Sequence, residues 1–174
     1  MAFDYDKYIR PGKLPHIWCP GCGHGIVMKG LIRAIDTLKL EKNNTCIVSG
    51  IGCASRLPGY MDCCTLHTAH GRGAAFATGI KMARPEMTVF CVGGDGDGVA
   101  IGGNHFIHAC RRNIDITYIL MNNHIYGMTG GQFSPATPTG AKASTTPYGN
   151  PDPPFDIAKI HFRVTGSSAA TVVC

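Results

Sequence analysis

Charge is scarce in this 174-residue chain. Asp, Glu, Lys and Arg together make 16% of it, against about a quarter in an average soluble domain. Glutamate occurs only as Glu41 and Glu86, and there is one tryptophan. No apolar run approaches the ~18 residues of a membrane span, and the stretch from Met1 to Lys13 has no apolar signal core. No charge block and no repeat of 20–50 residues is visible. A G-x-x-x-x-G-K-[ST] run is missing, which excludes a P-loop. With 44% apolar residues the chain is no disordered polymer, and its length suits one buried core without disulfide staples. The expectation is a cytoplasmic protein with no membrane and no nucleic-acid role. Its nine cysteines are then thiols or metal ligands. A net charge of +5 is modest and suits an anionic cofactor or an acidic partner.

Glycine is abundant instead: 23 residues, nearly twice its usual share of about 7%. Residues 1–18 read as an extended arm broken by Pro11 and Pro15. Ile26, Val27, Leu31, Ala34, Ile35 and Leu38 recur at helical spacing, which predicts a helix to about Leu40, closed by Asn43-Asn44. Thr45–Ser49 reads as a buried strand. A loop follows, then a helix over Ala74–Ala83, a strand over Met87–Val92, a glycine-rich loop over Gly93–Gly98, a helix over Ile101–Arg112 and a strand over Ile114–Met121. From Asn122 to Pro154 the chain reads as loop. Continuous apolar strands alternating with helices indicate an α/β domain with a parallel sheet. Three glycine-rich loops, after Ser49, Val92 and Met121, fall at the carboxyl ends of the strands, where such sheets bind ligands.

Gly93-Gly94-Asp95-Gly96-Asp97-Gly98, followed 28 residues after Asp95 by Asn123, is the strongest local signal. Glycines let backbone approach a phosphate. Magnesium takes one or two protein carboxylates together with phosphate oxygens. Asp95 offers a carboxylate, and Asn122 or Asn123 a neutral oxygen at the next strand end; the bland alternative is a solvated acidic turn. Cys19-x-x-Cys22 lacks the preceding strand of a thioredoxin-like pair. It also lacks a second C-x-x-C for a typical zinc site, and an iron–sulfur cluster needs four thiolates. Cys46, Cys91 and Cys110 read as core thiols, and Cys63-Cys64 as inert. His67, His70 and Arg72 precede a predicted helix, whose N-terminus favours anions. His105 and His108 read as structural, and His24 as a residue that positions the cysteine loop.

Five segments together carry a resemblance: Trp18–His24 (WCPGCGH), Ser49–Ala54 (SGIGCA), Leu66–Arg72 (LHTAHGR), Gly93–Gly98 (GGDGDG) and Ile125–Gln132 (IYGMTGGQ). In order and spacing, from about residue 15 to residue 160, the chain is similar to the β subunit of 2-oxoacid:ferredoxin oxidoreductases. Gly102–His105, Arg111-Arg112 and Tyr148–Pro154 most resemble the 2-oxoglutarate enzymes. The resemblance implies a three-layer thiamine-diphosphate-binding fold with a mainly parallel sheet, covering residues 1–160 with an N-terminal iron–sulfur arm. It implies magnesium on Asp95, Asn123 and the Ile125 carbonyl. Gly96, Asp97, Gly127 and Met128 would line the diphosphate, and Ile51, Gly52, Cys53, Ala54, Thr68, Ala69, His70 and Gly71 the rest of the cofactor. His67, His70 and Arg72 would meet cofactor or substrate. Cys19, Cys22 and Cys53 would be three of four ligands to a [4Fe–4S] cluster.

The implied reaction is oxidative decarboxylation of a 2-oxoacid, with coenzyme A taking the acyl group and ferredoxin the electrons. The family's thiamine-activating glutamate comes from a separate domain, and neither Glu41 nor Glu86 falls at the cofactor edge. The resemblance therefore implies an α-subunit partner, in a heterodimer or a dimer of heterodimers. After Ile160 the family pattern is expected to stop. Residues 161–174 read as an atypical tail, as from a truncated or frame-shifted product, with Cys174 a poor match to the fourth cluster ligand. The rival reading from another class is a non-catalytic metal- or cofactor-binding module, with structural zinc on Cys19, Cys22 and two further ligands.

Overall fold

The computed structural model describes residues 3–160 together with Val172 and Val173. At its centre lies a parallel sheet of five strands: β1 (Thr45–Ser49), β2 (Cys64–His67), β3 (Thr88–Gly94), β4 (Thr117–Asn122) and β7 (Val172–Val173), in the order β2-β1-β3-β4-β7. Every residue of β1 is buried, as are five of the seven in β3. That is the pattern of strands covered on both faces. Alternation along each strand divides the core. Ile47, Phe90, Val92 and Met121 face one layer with Met28, Leu31, Ile32 and Ile35 of helix α1 (His24–Thr37). Cys46, Val48, Val89 and Cys91 face the other, with Ala74 and Ala77 of α3 (Gly73–Ala83). The fold is thus α/β in three layers with a parallel sheet. Ile47 has no exposed surface in this core. Ile47→Ala is expected to cost about 2–5 kcal/mol of unfolding free energy, as a cavity-forming truncation does, measured as a shifted urea midpoint.

The chain leaves β1, passes through the short helix α2 (Leu57–Tyr60) to form β2 on one side, then crosses to β3 on the other. Loops after β1 and β3 therefore diverge, and a crevice opens between them at the strands' carboxyl ends.

Several elements differ from the sequence expectation. Helix α1 ends at Thr37 rather than Leu40, because Lys39 turns into the left-handed region (φ 52°); Asn43 and Asn44 lie in a separate short turn before β1. The arm is not wholly extended: Asp6–Tyr8 form one 3₁₀ turn, and Ile9 bridges to Met61. Strand β2 lies inside the stretch read as loop. It is an edge strand with mostly exposed side chains, so it has no apolar run to betray it. The loop Gly93–Gly98 is the end of β3 followed by a π-helical turn, Asp95–Ile101, which delays α4 to Gly103–Arg111. Strand β4 starts at Thr117, not Ile114. Beyond it the chain forms a small antiparallel pair, β5 (Ile125–Tyr126) and β6 (Gln132–Phe133). Residues 161–171 and Cys174, most of the expected tail, lie outside the described residues.

Candidate cofactor and cation site

Helix-like turns place successive side chains around an axis, so residues two apart point in opposite directions. The π-helical turn uses this to separate its two aspartates. Both are buried, Asp95 to 1% exposure and Asp97 to 4%.

Asp95 faces the β5–β6 hairpin. Its Oδ2 accepts a short hydrogen bond from Ser134 Oγ. Its other oxygen faces the Asn123 amide. The nearest atom of that amide lies 3.0 Å from Asp95 Oδ1 and 2.8 Å from the Ile125 carbonyl oxygen. With nitrogen in this place, Asn123 donates to both. With oxygen there, Asn123 Oδ1 accepts a long 3.4 Å bond from Ile125 N–H, and three oxygens of Asp95, Asn123 and Ile125 converge. The first orientation satisfies an ion-free site; the second is the one a hard cation between them selects. His124, between Asn123 and Ile125, sits in the left-handed region at φ 63°. Asn122 Oδ1 accepts from His124 N–H at 3.1 Å, and Thr137 Oγ1 donates to the His124 carbonyl at 2.5 Å. The surrounding bonds over-determine this unusual backbone, as expected where strain aims side chains. They also decide between the asparagines: Asn122 holds the turn and Asn123 faces Asp95.

Burial pushes the Asp95 carboxyl above the ordinary aspartate range, partly offset by the Ser134 bond and backbone N–H groups. A buried carboxylate with no cationic partner is costly to ionise, and a divalent ion relieves that cost.

Asp97 turns the other way. Its Oδ1 accepts from Ile51 N–H at 3.1 Å, Gly71 N–H at 2.7 Å and His70 Nδ1 at 2.7 Å. It ties the π-turn to the loops after β1 and β2. Gly50 has no room for a side chain because the Asp97 carboxylate occupies its Cβ position. Asp97, expected to line the diphosphate, does line the cleft, with its carboxylate bonded to the loops after β1 and β2.

The cleft between these loops is lined by Ile51–Ala54, His70, Gly94–Asp97, Asn123 and Ile125–Thr129, with His24 and Met121 at its floor. Of the sequence-expected residues, Ile51, Gly52, Cys53, Ala54, His70, Asp95, Gly96, Asp97, Asn123, Ile125, Gly127 and Met128 all line it. Thr68, Ala69 and Gly71 do not. Thr68 instead clamps β1 by donating from Oγ1 to the Ser49 carbonyl at 2.9 Å, and Ala69 is exposed. His67 and Arg72 also stay outside. His67 Nδ1 lies 3.1 Å from Ser49 Oγ, and Arg72 is exposed with Nη1 donating to the His70 carbonyl at 3.0 Å. Sequence reasoning missed Ser134 and Tyr126. Tyr126 donates to the Gly96 carbonyl at 3.0 Å and meets the His70 ring edge-on at 6.3 Å. Both depend on the hairpin, for which an isolated Ser or Tyr gives no local signal.

Cys53 lines the cleft, and the Cys19–Cys22 loop lies beside it. Trp18 Nε1 donates to the Cys53 carbonyl at 2.7 Å, locking the Cys19–Cys22 loop against the Cys53 loop. Burial raises the Cys53 thiol, and neighbouring Cys19 and Cys22 raise it further. Among the described residues no three His, Cys, Asp or Glu side chains form a group able to hold a metal ion. These three thiols are neighbours here and not an assembled cage. His24 is fully buried and burial lowers its basicity; its Nδ1 lies 3.2 Å from the Cys22 carbonyl, so it braces this loop. Burial pushes the Cys63 thiol up to about 12. Because the thiolate is the nucleophile, iodoacetamide at pH 8 is expected to alkylate exposed Cys19 and Cys64 in the metal-free chain and to spare Cys63 and Cys91. Mass mapping checks this; modification of Cys63 as fast as of Cys64 would contradict it.

Residues 50–172 match the thiamine pyrophosphate enzyme family, C-terminal TPP binding domain. The chain belongs to this family. It is 56% identical over 170 residues to the 2-oxoglutarate synthase subunit KorB of Archaeoglobus fulgidus, covering 98% of this chain and 63% of that protein. It is 59% identical over 154 residues to the KorB subunit of Methanocaldococcus jannaschii, covering 88% of this chain and 57% of that one. Among solved structures it superimposes with a TM-score of 0.88 and 43% identity on a 2-oxoglutarate:ferredoxin oxidoreductase from Magnetococcus marinus with 2-oxoglutarate, coenzyme A and succinyl-CoA bound, covering 91% of this chain and 54% of that chain. The chain thus spans roughly three fifths of the length of the curated relatives it matches. The thiamine pyrophosphate family match runs to residue 172. Val172, at the end of that match, and Val173 pair in parallel with Met121 and Asn122 of β4.

Proposed function

We propose that this chain is the diphosphate- and cation-binding part of the β subunit of a 2-oxoglutarate:ferredoxin oxidoreductase. The observation that carries the reading is the convergence of Asp95, Asn123 and the Ile125 carbonyl on one point beside a cleft walled by the Gly96 and Gly127 backbone. That donor set is all oxygen with one carboxylate, which fits Mg²⁺ completed by diphosphate oxygens and water. Bound thiamine diphosphate supplies the carbon nucleophile and electron sink for decarboxylating a 2-oxoacid. The residues of this chain hold and orient it. Asp95 and Asn123 fix the cation, the Gly96 and Gly127 backbone admits the phosphates closely, and Ile51–Ala54 give the cleft an apolar wall. His70 lines the cleft and is the residue of the three placed to meet cofactor or substrate there, while His67 and Arg72 lie outside it.

The relatives' names support a 2-oxoglutarate substrate and ferredoxin as electron acceptor, and the solved relative's bound ligands support coenzyme A as acyl acceptor. A separate α subunit then supplies the pyrimidine and coenzyme A parts. For the [4Fe–4S] cluster, Cys19, Cys22 and Cys53 supply thiols on two loops locked by Trp18, and the fourth ligand comes from outside the described residues. No helix of the described residues is long and apolar enough to cross a membrane. A cytoplasmic heteromer without nucleic-acid binding accords with the low charge content. Among the described residues, no metal-holding group of three or more His, Cys, Asp or Glu forms with Cys19 and Cys22, so the structural-zinc reading gains no support.

The test is anaerobic co-expression with a partner α subunit, followed by a coenzyme A-dependent viologen reduction assay. Reduction with 2-oxoglutarate is expected. No reduction with any 2-oxoacid, from protein that contains zinc and no iron, would sink the reading in favour of the module.

A further inference from the structure

The Asp97 carboxylate is buried, touches no candidate cation ligand side chain, and spends one oxygen on three donors. Two of these, Ile51 N–H and Gly71 N–H, are backbone groups that only donate. Oδ1 is therefore an acceptor. The third group on the same oxygen, His70 Nδ1 at 2.7 Å, must then carry a hydrogen. This places a hydrogen on Nδ1 from geometry. The ring's opposite edge, with Nε2, stays free of protein partners among the described residues, and His70 is half-exposed where it lines the cleft.

We infer that Asp97 is a positioning residue for the reaction: it fixes His70 as the Nδ1–H tautomer and turns Nε2 toward the cleft as a hydrogen-bond acceptor for a donor group on the bound ligand. The inference rests on the proposed function for its catalytic part, and on the structure alone for the tautomer. The arrangement follows the general rule that a carboxylate behind an imidazole sets which nitrogen faces the chemistry. It explains why two aspartates occur two residues apart. Asp95 serves the cation and Asp97 serves the histidine, so one turn aligns both sides of the cleft. It also explains the bare Cα at Gly50, since any side chain there would displace the carboxylate.

Two measurements test it. In the full chain labelled with [¹⁵N]histidine, with the His70 signals identified by their loss in His70→Ala, Nδ1 is expected to be the protonated nitrogen and Nε2 the unprotonated one. A hydrogen on Nε2 in the resting protein, in the Nε2–H tautomer or in the imidazolium, overturns the inference, whatever the enzyme does. In the enzyme assembled with its partner, Asp97→Asn is expected to lower kcat roughly 10²-fold while KM changes less than about threefold. It should also shift the His70 tautomer. The Asp97→Asn/His70→Ala double variant is expected to be no slower than His70→Ala alone, because Asp97 acts through the imidazole. Multiplying losses would instead assign Asp97 a general structural role and overturn the inference. Wild-type enzyme inactive with every 2-oxoacid would count against the proposed function and leave the tautomer result to judge Asp97.

Discussion

Asp95→Asn is expected to abolish cation-dependent cofactor binding while leaving the ion-free fold as stable as the wild type, or more stable. The two effects have opposite sign because the same burial drives both. Asp95 is 1% exposed, and burial raises its carboxyl above the ordinary range. Its ionised form is a cost to the empty fold that only a cation offsets. Asparagine keeps the shape and an oxygen for the Ser134 hydroxyl, and removes the charge. Loss of the one carboxylate in the donor set is expected to weaken thiamine diphosphate–Mg²⁺ binding by at least ~100-fold, about 2.7 kcal/mol. The pH dependence follows from the direction of the shift. A folded-state carboxyl raised above its unfolded value contributes instability as pH rises from the unfolded value through the raised one, and that slope should vanish in Asp95→Asn. Conversely, Mg²⁺ needs the carboxylate, so in the wild type its affinity is full above the raised value and falls as pH drops through it. Thermal unfolding with and without ligand, at several pH values, reads all of this. A variant that is strongly destabilised without ligand, or that binds as the wild type does, would contradict the account.

Gly71→Ala is expected to produce the largest loss of stability among glycine substitutions at the site. Gly71 has φ +73°, and an added Cβ would lie 2.7 Å from Gly102 N and 2.8 Å from Ile101 C. Both neighbours are backbone, so no rotamer change relieves the contact. The left-handed conformation adds roughly 1–2 kcal/mol for a residue with a Cβ, and the overpacking roughly 1–3. The expected total is roughly 2–5 kcal/mol, seen as a lower urea midpoint with an unchanged slope. Because Gly71 N–H is one of the three donors to Asp97, cofactor affinity should fall too. Gly79→Ala is the matched control. Gly79 lies inside α3 with open space at its Cβ position, and the change should stabilise by about 0.5–1 kcal/mol. If both substitutions shift the midpoint alike, the steric argument fails.

The strands β1 and β3 were legible because they are buried on both faces, and β4 because its second half is, so burial appears in the sequence as largely apolar runs such as Thr45–Ser49. Helices α1 and α3 were legible from their periodicity. Strand β2 was not, because Cys64–His67 sits at the sheet edge with side chains in solvent, and its pairing with Cys46–Ser49 is a non-local fact. The π-turn was read as loop for a related reason. Its glycines carry no period, and the wide turn is held by Asp97, the Tyr126 hydroxyl and its fit beneath Gly71 rather than by propensity. At the site, Asp95, Asn123 and the glycines were readable because their chemistry repeats in the local string. Ser134 and Tyr126 were not, since only hairpin closure brings them back to Asp95 and Gly96. His67 and Arg72 lay close in sequence to the true wall residue His70. Their exclusion from the cleft follows from β2 ending at His67 and the chain reversing at Gly71.

The most direct measurement of the central claim is the affinity of thiamine diphosphate for the chain assembled with its partner, by isothermal titration with Mg²⁺ and with chelator, in wild type and in Asn123→Ala. The account expects tight binding only in the wild type with Mg²⁺, and a loss of at least ~10-fold on removing either the ion or the Asn123 amide. Equal affinity with chelator, or an Asn123→Ala variant that binds as the wild type does, would show that Asp95, Asn123 and Ile125 do not form the cation site.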